Sequence, residues 1–367
     1  MIFAKRLFDT HTWEYGQLRK LSFIASLLLL TRHDMALIVL PALIYAFFVK
    51  REVKFWRAIK AGVLGMLPFI AWEVFSLIYY GFPFPNTAYA KLNSGIPQIE
   101  YWMQGVSYFF AAFTTDPAAI AMMSAVIVIS AVKFASSGQT DRQTDRTIMP
   151  AVAVGVLLYC VYILRIGGDF MGGRFYCVPF IMSAVLLSRV RLDRHTISAA
   201  LAVVVLFSIT QPYSILKTSK KIPEPGWVTN YIADERGAYW GTNGLIFYGK
   251  DSGYKPHAWY QIGKTIENGS VLIIGNIGFI RDSAPLSAHF IDRLALSEPL
   301  LSRLPAIYNP NWRVGHLDRK IPAGYVETLD SGKNAIEDKR LAEYYDILRD
   351  IISGPIFSAR RSSNHSQ

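Results

Sequence analysis

The chain has 367 residues, of which 52% are hydrophobic and 18% are charged. With a mean hydropathy of +0.25, it is too apolar for a soluble protein of this length. The net charge of +11 would suit a nucleic-acid-binding protein if the basic residues formed a patch on a polar domain. They instead lie in short clusters between apolar runs, which is typical of the cytoplasmic loops of membrane proteins. We therefore expect no nucleic-acid partner. The only two cysteines, Cys160 and Cys177, exclude a disulfide scaffold and a cysteine-rich zinc site.

Six apolar runs predict membrane-spanning helices, since a span needs about 20 mostly apolar residues. A further run, residues 21–30, is too short to cross by itself and is followed at once by Thr31-Arg32-His33-Asp34. We expect a short broken helix there. The six runs are residues 35–49, 61–80, 117–135, 148–164, 175–188 and 196–212.

The distribution of lysine and arginine predicts the orientation of these helices. The segment from Lys50 to Lys60 is the strongest cytoplasmic signal, and alternation from there places the other basic loops inside as well. Four segments then fall outside. They are the Arg32 turn, the stretch from Tyr79 to Asp116, the turn from Arg165 to Arg174, and everything after Pro212.

The sequence becomes polar after Pro212, which predicts two domains. Residues 1–212 would form a membrane domain of about six spans plus the short broken helix. Residues 213–367 would form an extracytoplasmic globular domain of α+β type, with a buried strand at residues 270–275 and an amphipathic helix at residues 334–352. The tail after Ser358 is predicted to be disordered.

Ionisable residues at the outer ends of the predicted helices are candidates for a functional site, because such groups are costly to bury. Arg32, His33 and Asp34 form one group. In another, Arg165 and Arg174 bracket a glycine-rich turn that contains Asp169. The alternative interpretation is a pair of structural ion pairs that hold helix ends together.

A third outer segment combines aromatic and polar side chains. It runs from Tyr79 to Lys91, contains two prolines that stop a helix, and carries Asn86, Tyr89 and Lys91 at close spacing. Such a segment is also typical of an aromatic belt at the membrane interface. Its amide, hydroxyl and ammonium groups would equally suit a sugar and a phosphate.

These residue types together suit the transfer of a sugar from a lipid-linked phosphate. The departing phosphate is anionic, so arginine or lysine would stabilise charge that grows in the transition state. A carboxylate would take the proton of the acceptor hydroxyl. Aromatic faces would pack against the sugar ring and the lipid.

A series of motifs resembles the terminal β-(1→2)-arabinofuranosyltransferase family, whose members are GT-C membrane enzymes. The motifs occur in the same order along the chain as in that family. The resemblance covers the chain from about residue 20 to 330, and some wider bacterial relatives are named flagellar motor control proteins. The motifs are Thr31-Arg32-His33-Asp34, Tyr79-Tyr80-Gly81 through Pro85-Asn86-Thr87 and Ala90-Lys91, Gly167-Gly168-Asp169-Phe170-Met171 with Arg174, Asp292 through Leu301, Trp312 through His316 with Arg319, and Ile321-Pro322-Ala323-Gly324-Tyr325.

The resemblance implies a GT-C membrane domain in the bacterial inner membrane, a polyprenyl-phosphate sugar donor, an inverting single displacement and an envelope glycan as acceptor. Membrane lipids would be its surroundings, and no metal site is predicted. Asp169 and Asp34 are the candidate catalytic carboxylates. The candidate substrate-binding residues are Arg174, Arg32, His33, Asn86, Tyr89, Lys91, Arg165, His316 and Arg319.

One departure from the family leaves the function open. GT-C enzymes usually carry an acidic residue in a first outer loop that this chain does not include, so we expect an N-terminally truncated GT-C domain. The alternatives are helices supplied by another chain, or a non-catalytic envelope or flagellar-motor-associated protein. A transporter would also use broken polar helices, but the large outer domain and the absence of repeated halves argue against it.

Overall fold

The computed structural model describes most of the chain and divides it into two compact units. One comprises residues 1–74 and 98–233, and the other residues 75–97 and 234–367. The predicted boundary at residue 212 stays a prediction, and the predicted disordered tail lies, except for Arg361, outside the described residues. These are 1–10, 12–49, 51–92, 94–135, 143–190, 193–211, 227–229, 232–235, 257–275, 277–358 and 361.

The first unit is built from helices, and each of the six predicted apolar runs overlaps one of them. A 3-10 turn, His33–Met35, precedes α3, and a π-helical turn, Tyr45–Val49, follows it. Two short strands, β1 (Trp227–Thr229) and β2 (Ile232–Ala233), pair in antiparallel register. The helices are α1 (Ile2–Asp9), α2 (Tyr15–Thr31), α3 (Ala36–Ile44), α4 (Phe55–Tyr79, which ends in the second unit), α6 (Gln98–Thr115), α7 (Pro117–Ala135), α8 (Gln143–Arg165), α9 (Cys177–Leu187) and α10 (Arg194–Thr210).

Two described helices are long and apolar enough to cross a membrane, namely α4 and residues Ile148–Arg165 of α8. The pair α6 and α7 counts as a third span if the two are taken together, although they are bent by 115°. Three further apolar helical segments are shorter than a span. They are His33–Val49, Arg174–Leu187 and Arg194–Thr210. The structure is thus a helix-rich membrane protein, and the count of about six spans stays a prediction.

Two local features differ from the sequence prediction. The run 21–30 belongs to an unbroken α2, and the chain breaks only at Arg32, whose extended backbone (φ −160°) ends the helix. The predicted outer segment 79–116 contains α6, which the sequence analysis missed because it begins with polar residues. Pro117 stops α6, and the Asp116 carboxylate accepts a hydrogen bond from the Ala119 amide to start α7.

Glycines let the helices of the first unit approach closely. A Cβ at Gly155 would lie 2.6 Å from the Ile38 carbonyl oxygen, and one at Gly105 would lie 2.3 Å from that of Leu164. These distances bring α8 against α3 and α6 almost backbone to backbone. Small residues at helix contacts are typical of membrane proteins, where packing rather than water exclusion holds helices together.

The second unit has a small parallel sheet of β3 (Val271–Ile274) and β4 (His289–Asp292). The predicted strand at 270–275 is therefore confirmed, but its predicted burial is wrong, because Ile273 is 51% exposed and the other three residues are half-buried. The predicted helix at 334–352 begins later, at Lys339, because the Asp338 side chain caps it through the Leu341 amide. The helices of this unit are α5 (Asn86–Leu92), α11 (Ala258–Lys264), α12 (Gly278–Ser283), α13 (Tyr325–Ser331) and α14 (Lys339–Ser353).

Candidate functional site

Arg32 and Asp34 pair at the end of α2. Arg32 Nε lies 3.0 Å from Asp34 Oδ1, and Nη2 lies 2.5 Å from Oδ2. The Tyr159 hydroxyl of α8 donates a third hydrogen bond to Oδ2 at 3.0 Å. This two-pronged geometry fixes the guanidinium plane of Arg32 while leaving 35% of its side chain exposed.

The glycine-rich turn after α8 depends on glycines for its path. Gly167, Gly168 and Gly173 have φ values of 78°, 68° and 78°, which residues with a side chain rarely adopt. A Cβ at Gly168 would also lie 2.3 Å from the Tyr108 ring. The Tyr108 hydroxyl donates to the Met171 carbonyl oxygen at 2.9 Å, so α6 holds the turn in place.

Asp169 and Arg174 form an ion pair across this turn. Asp169 is completely buried, and its Oδ2 lies 2.5 Å from Arg174 Nε. The Arg174 side chain is 42% exposed. A buried carboxylate is costly unless it is paired, so the ion pair with Asp169 holds Arg174 at this turn. A second guanidinium nitrogen of Arg174, Nη1, lies 3.6 Å from the Met171 sulfur.

Phe175 joins the two ion pairs into one cluster. The Arg32 guanidinium carbon lies 4.6 Å from the centroid of the Phe175 ring, and that of Arg174 lies 5.7 Å from the same centroid. Cations favour the face of an aromatic ring, so Phe175 allows two arginines to approach each other. We call Arg32, Asp34, Asp169, Arg174 and Phe175 the arginine cluster.

Strand β2 covers one side of the glycine-rich turn. The Gly172 amide donates to the Ala233 carbonyl oxygen at 2.9 Å, and the Ala233 amide donates to that of Phe170 at 2.7 Å. The chain that follows α10 therefore returns to the end of α8 that carries the arginine cluster.

The sequence analysis missed Glu73, which lies beside this cluster through its contact with His33. Glu73 is the only acidic residue in α4, and its Oε1 lies 2.9 Å from His33 Nε2. The signal was present, because a lone carboxylate in a membrane helix marks a functional site. The structure thus assigns His33 a carboxylate partner 40 residues away.

Arg165, another predicted residue of the first unit, lies outside the arginine cluster. Its side chain is exposed, and its carbonyl oxygen accepts a hydrogen bond from Gln98 Nε2 at 2.7 Å. This contact joins the start of α6 to the end of α8 and concerns the backbone of Arg165 alone.

The remaining predicted site residues lie in the second unit. Among them, Asn86 uses its side-chain amide for hydrogen bonds within that unit. Its Nδ2 contacts the carbonyl oxygens of Ala295, Leu296 and Glu298 at 3.1 to 3.2 Å. Its Oδ1 accepts from the Ser302 hydroxyl at 2.7 Å and from Arg303 Nη1 at 3.2 Å. This occupancy favours a structural role for Asn86 over the predicted contact with substrate.

Arg319 is similarly occupied. It is 3% exposed, and its three guanidinium nitrogens donate to the carbonyl oxygens of Leu304, Leu317 and Ala90 at 2.8, 2.7 and 2.6 Å. Arg319 thus ties α5 to two loops of its unit. These contacts favour a structural role, and contact of Arg319 with a substrate stays a prediction.

Tyr89, Lys91 and His316 are half-buried in the second unit. The Tyr89 ring lies 4.7 Å from the guanidinium carbon of Arg303. Burial, then the neighbouring charge of Arg313, lowers the pKa of His316, and Lys91 acts in the same direction. His316 is therefore neutral near pH 7. Contact of any of these residues with a substrate, and convergence of the two sets of residues, stay predictions.

Comparison with known proteins supports the resemblance read from the motifs. No family model matches the chain, and no solved structure matches it. The terminal beta-(1->2)-arabinofuranosyltransferase of Mycobacterium tuberculosis is 30% identical over 176 residues, which cover 43% of this chain and 27% of that protein. The protein of the same name from Corynebacterium glutamicum is 28% identical over 148 residues, which cover 36% of this chain and 20% of that protein. The predicted similarity to this family is therefore confirmed, over about a quarter of the relatives' length.

Proposed function

We propose that the chain is a membrane glycosyltransferase that takes a sugar of arabinofuranose type from a polyprenyl-phosphate donor. The acceptor would be an envelope glycan at the outer face of the bacterial inner membrane. The observation that carries this proposal is the arginine cluster, in which two arginines share one aromatic ring at the ends of membrane helices. The names of the two relatives support the reaction class.

The arginine cluster suits the leaving group of such a reaction. The acceptor oxygen would attack the anomeric carbon, the bond from that carbon to the phosphate oxygen would break, and the polyprenyl phosphate would leave with both electrons. Arg174 and Arg32, each fixed by a carboxylate, are preorganised to bind the growing negative charge. Preorganisation matters because the enzyme then spends no free energy on turning the guanidinium groups during the reaction.

The carboxylates of the first unit differ in their ability to take the acceptor's proton. Asp34 and Asp169 each hold an arginine, so we assign them a positioning role. Glu73 is bonded to an imidazole instead, and a histidine oriented by a carboxylate is the commonest proton acceptor in enzymes. We therefore propose that His33 accepts the proton and that Glu73 orients it and stabilises its charged form.

The test is sugar transfer from a polyprenyl-phosphate donor in membranes that contain the full chain. Arg174→Ala should lower the rate about 100-fold, as loss of one preorganised donor does. Arg174→Lys should also be harmful, since an ammonium does not reproduce the planar contact. The matched control is Arg189→Ala, which removes another half-exposed arginine paired with an aspartate, Asp9, at 2.9 Å.

A second measurement separates catalysis from binding. Polyprenyl phosphate should bind the purified chain, and Arg174→Ala should weaken that binding while Arg189→Ala does not. Binding without transfer in the wild type would support the non-catalytic alternative. Equal transfer by wild type and Arg174→Ala, at equal expression, would contradict the proposed site.

A further inference from the structure

A groove of about 530 Å³ opens between α1, α2 and the first half of α4, away from the arginine cluster. Arg19 lies near the start of α2, and Arg32 lies just after its end. The two residues are 13 positions apart, which corresponds to about 20 Å along the helix. The residues that line the groove are Arg6, Arg19, Lys20, Phe23, Ile24, Leu64, Gly65 and Leu67.

The basic side chains of the groove have no carboxylate partner among the described residues. Arg6, Arg19 and Lys20 make no ion pair in that part of the chain, whereas the nearby Asp9 is held by Arg189 at 2.9 Å. Three cations that converge on one groove repel one another unless an anion joins them. The groove therefore favours an anionic ligand.

The walls of the groove are apolar and exposed. The exposed fractions of Phe23, Leu64 and Leu67 are 46%, 37% and 47%. A Cβ at Gly65 would lie 2.5 Å from the Arg19 carbonyl oxygen, so α2 and α4 touch there. The groove is therefore lined by basic and apolar side chains together, around the point where α2 and α4 touch.

We infer that this groove binds an anionic phospholipid, with its phosphodiester headgroup on Arg6, Arg19 and Lys20 and an acyl chain along Phe23, Leu64 and Leu67. A free phosphate ion would use the cations but not the apolar walls. An apolar helix of another chain would use the walls but would leave three charges unpaired. By the orientation that the charges predict, the lipid belongs to the cytoplasmic leaflet, where anionic headgroups attract basic pockets between helices.

The experiment is native mass spectrometry of the full chain in detergent, with titration of dioleoylphosphatidylglycerol. One phosphatidylglycerol should remain bound per chain, and dioleoylphosphatidylcholine should not replace it. Each basic residue should raise the affinity for an anionic headgroup about fivefold. The Arg6→Gln/Arg19→Gln/Lys20→Gln variant should therefore bind phosphatidylglycerol roughly 100-fold more weakly. The matched control is Lys5→Gln/Lys54→Gln/Lys60→Gln, which makes the same charge change at exposed lysines outside the groove.

Each other outcome overturns the inference. Equal binding of the two phospholipids, or equal loss in both triple variants, would mean that the groove does not recognise a headgroup. Competition by glycerol 3-phosphate at the same concentration as the lipid would mean a free-phosphate site. If the groove variant does not fold, the single change Arg19→Gln should still weaken binding about fivefold while its control, Lys60→Gln, does not.

Discussion

Arg319 and Arg174 show two opposite uses of the same side chain. In the second unit, Arg319 is buried and all its guanidinium nitrogens donate to backbone carbonyl oxygens. In the first unit, Arg174 is 42% exposed and is held from one side by Asp169. A guanidinium whose donors are occupied holds loops together, whereas one that is fixed but still open offers donors to a ligand.

The same contrast separates Asn86 from His33. Asn86 uses both ends of its amide inside the second unit, while His33 is oriented by Glu73 and remains 32% exposed. Because sequence motifs mark both kinds of residue, a motif alone does not distinguish a positioned ligand contact from a structural connection.

The largest effect expected is on the stability of the second unit. Arg319→Ala should lower its free energy of unfolding by about 4 kcal/mol, because three buried carbonyl oxygens lose their donors. Denaturant titration of the full chain in detergent, followed by limited proteolysis, measures this change. Arg293→Ala is the control, since its pair with Asp318 is exposed and contributes at most about 1 kcal/mol. Equal protease resistance of Arg319→Ala and wild type would mean that Arg319 does not hold the loops of its unit together, which contradicts the role contrasted with that of Arg174.

A somewhat smaller effect is expected for the glycine-rich turn. Gly168→Ala should cost about 3 kcal/mol, since its φ of 68° disfavours a side chain and the new Cβ would meet the Tyr108 ring. Gly172→Ala is the control, because its Cβ would make ordinary contact, 3.5 Å from the Ala233 carbonyl oxygen. Thermal unfolding in detergent measures both. A Gly168→Ala protein as stable as Gly172→Ala would show that Tyr108 does not hold the turn.

The next prediction concerns the proposed proton acceptor. Glu73→Gln should lower the rate of sugar transfer about 100-fold, because neutral glutamine does not stabilise charged His33. Binding of polyprenyl phosphate should stay unchanged, which distinguishes this variant from Arg174→Ala. The exposed Glu52 provides the control variant Glu52→Gln. Weaker phosphate binding together with the slower rate would assign Glu73 to the packing of α4.

The smallest effect concerns the pH dependence of the second unit. Burial lowers the pKa of His316, so below the ordinary histidine pKa of about 6.5 the unfolded chain binds a proton before the folded one does. The free energy of unfolding of the second unit should therefore be greatest above about pH 6.5 and should decrease as the pH drops toward the lowered pKa of His316. The charged groups that influence His316 are Arg313, Lys91 and Glu235.

The measurement is the thermal unfolding midpoint at pH 7.5 and pH 5.5. His316→Asn should show a smaller drop than wild type, while His195→Asn, at an exposed site, should not differ from it. An unchanged drop in His316→Asn would mean that this histidine stays accessible to protons.

Local features were predictable from the sequence, and contacts between distant residues were not. The apolar runs located α4 and α8, because hydrophobicity is a property of neighbouring residues. The sequence proximity of Asp169 and Arg174 anticipated their pair. The Tyr159 bond to Asp34 joins residues 125 positions apart, and Asn86 bonds partners more than 200 positions away. Nothing in a local motif encodes those separations.

The charge balance of the arginine cluster has a consequence for turnover. Two guanidinium groups and two carboxylates sum to zero formal charge before any ligand arrives. In the proposed function, the leaving phosphate would share each arginine with an aspartate rather than neutralise a surplus of positive charge. Such sharing would limit how tightly the product is held, so the aspartates that orient the arginines would also speed the release of polyprenyl phosphate.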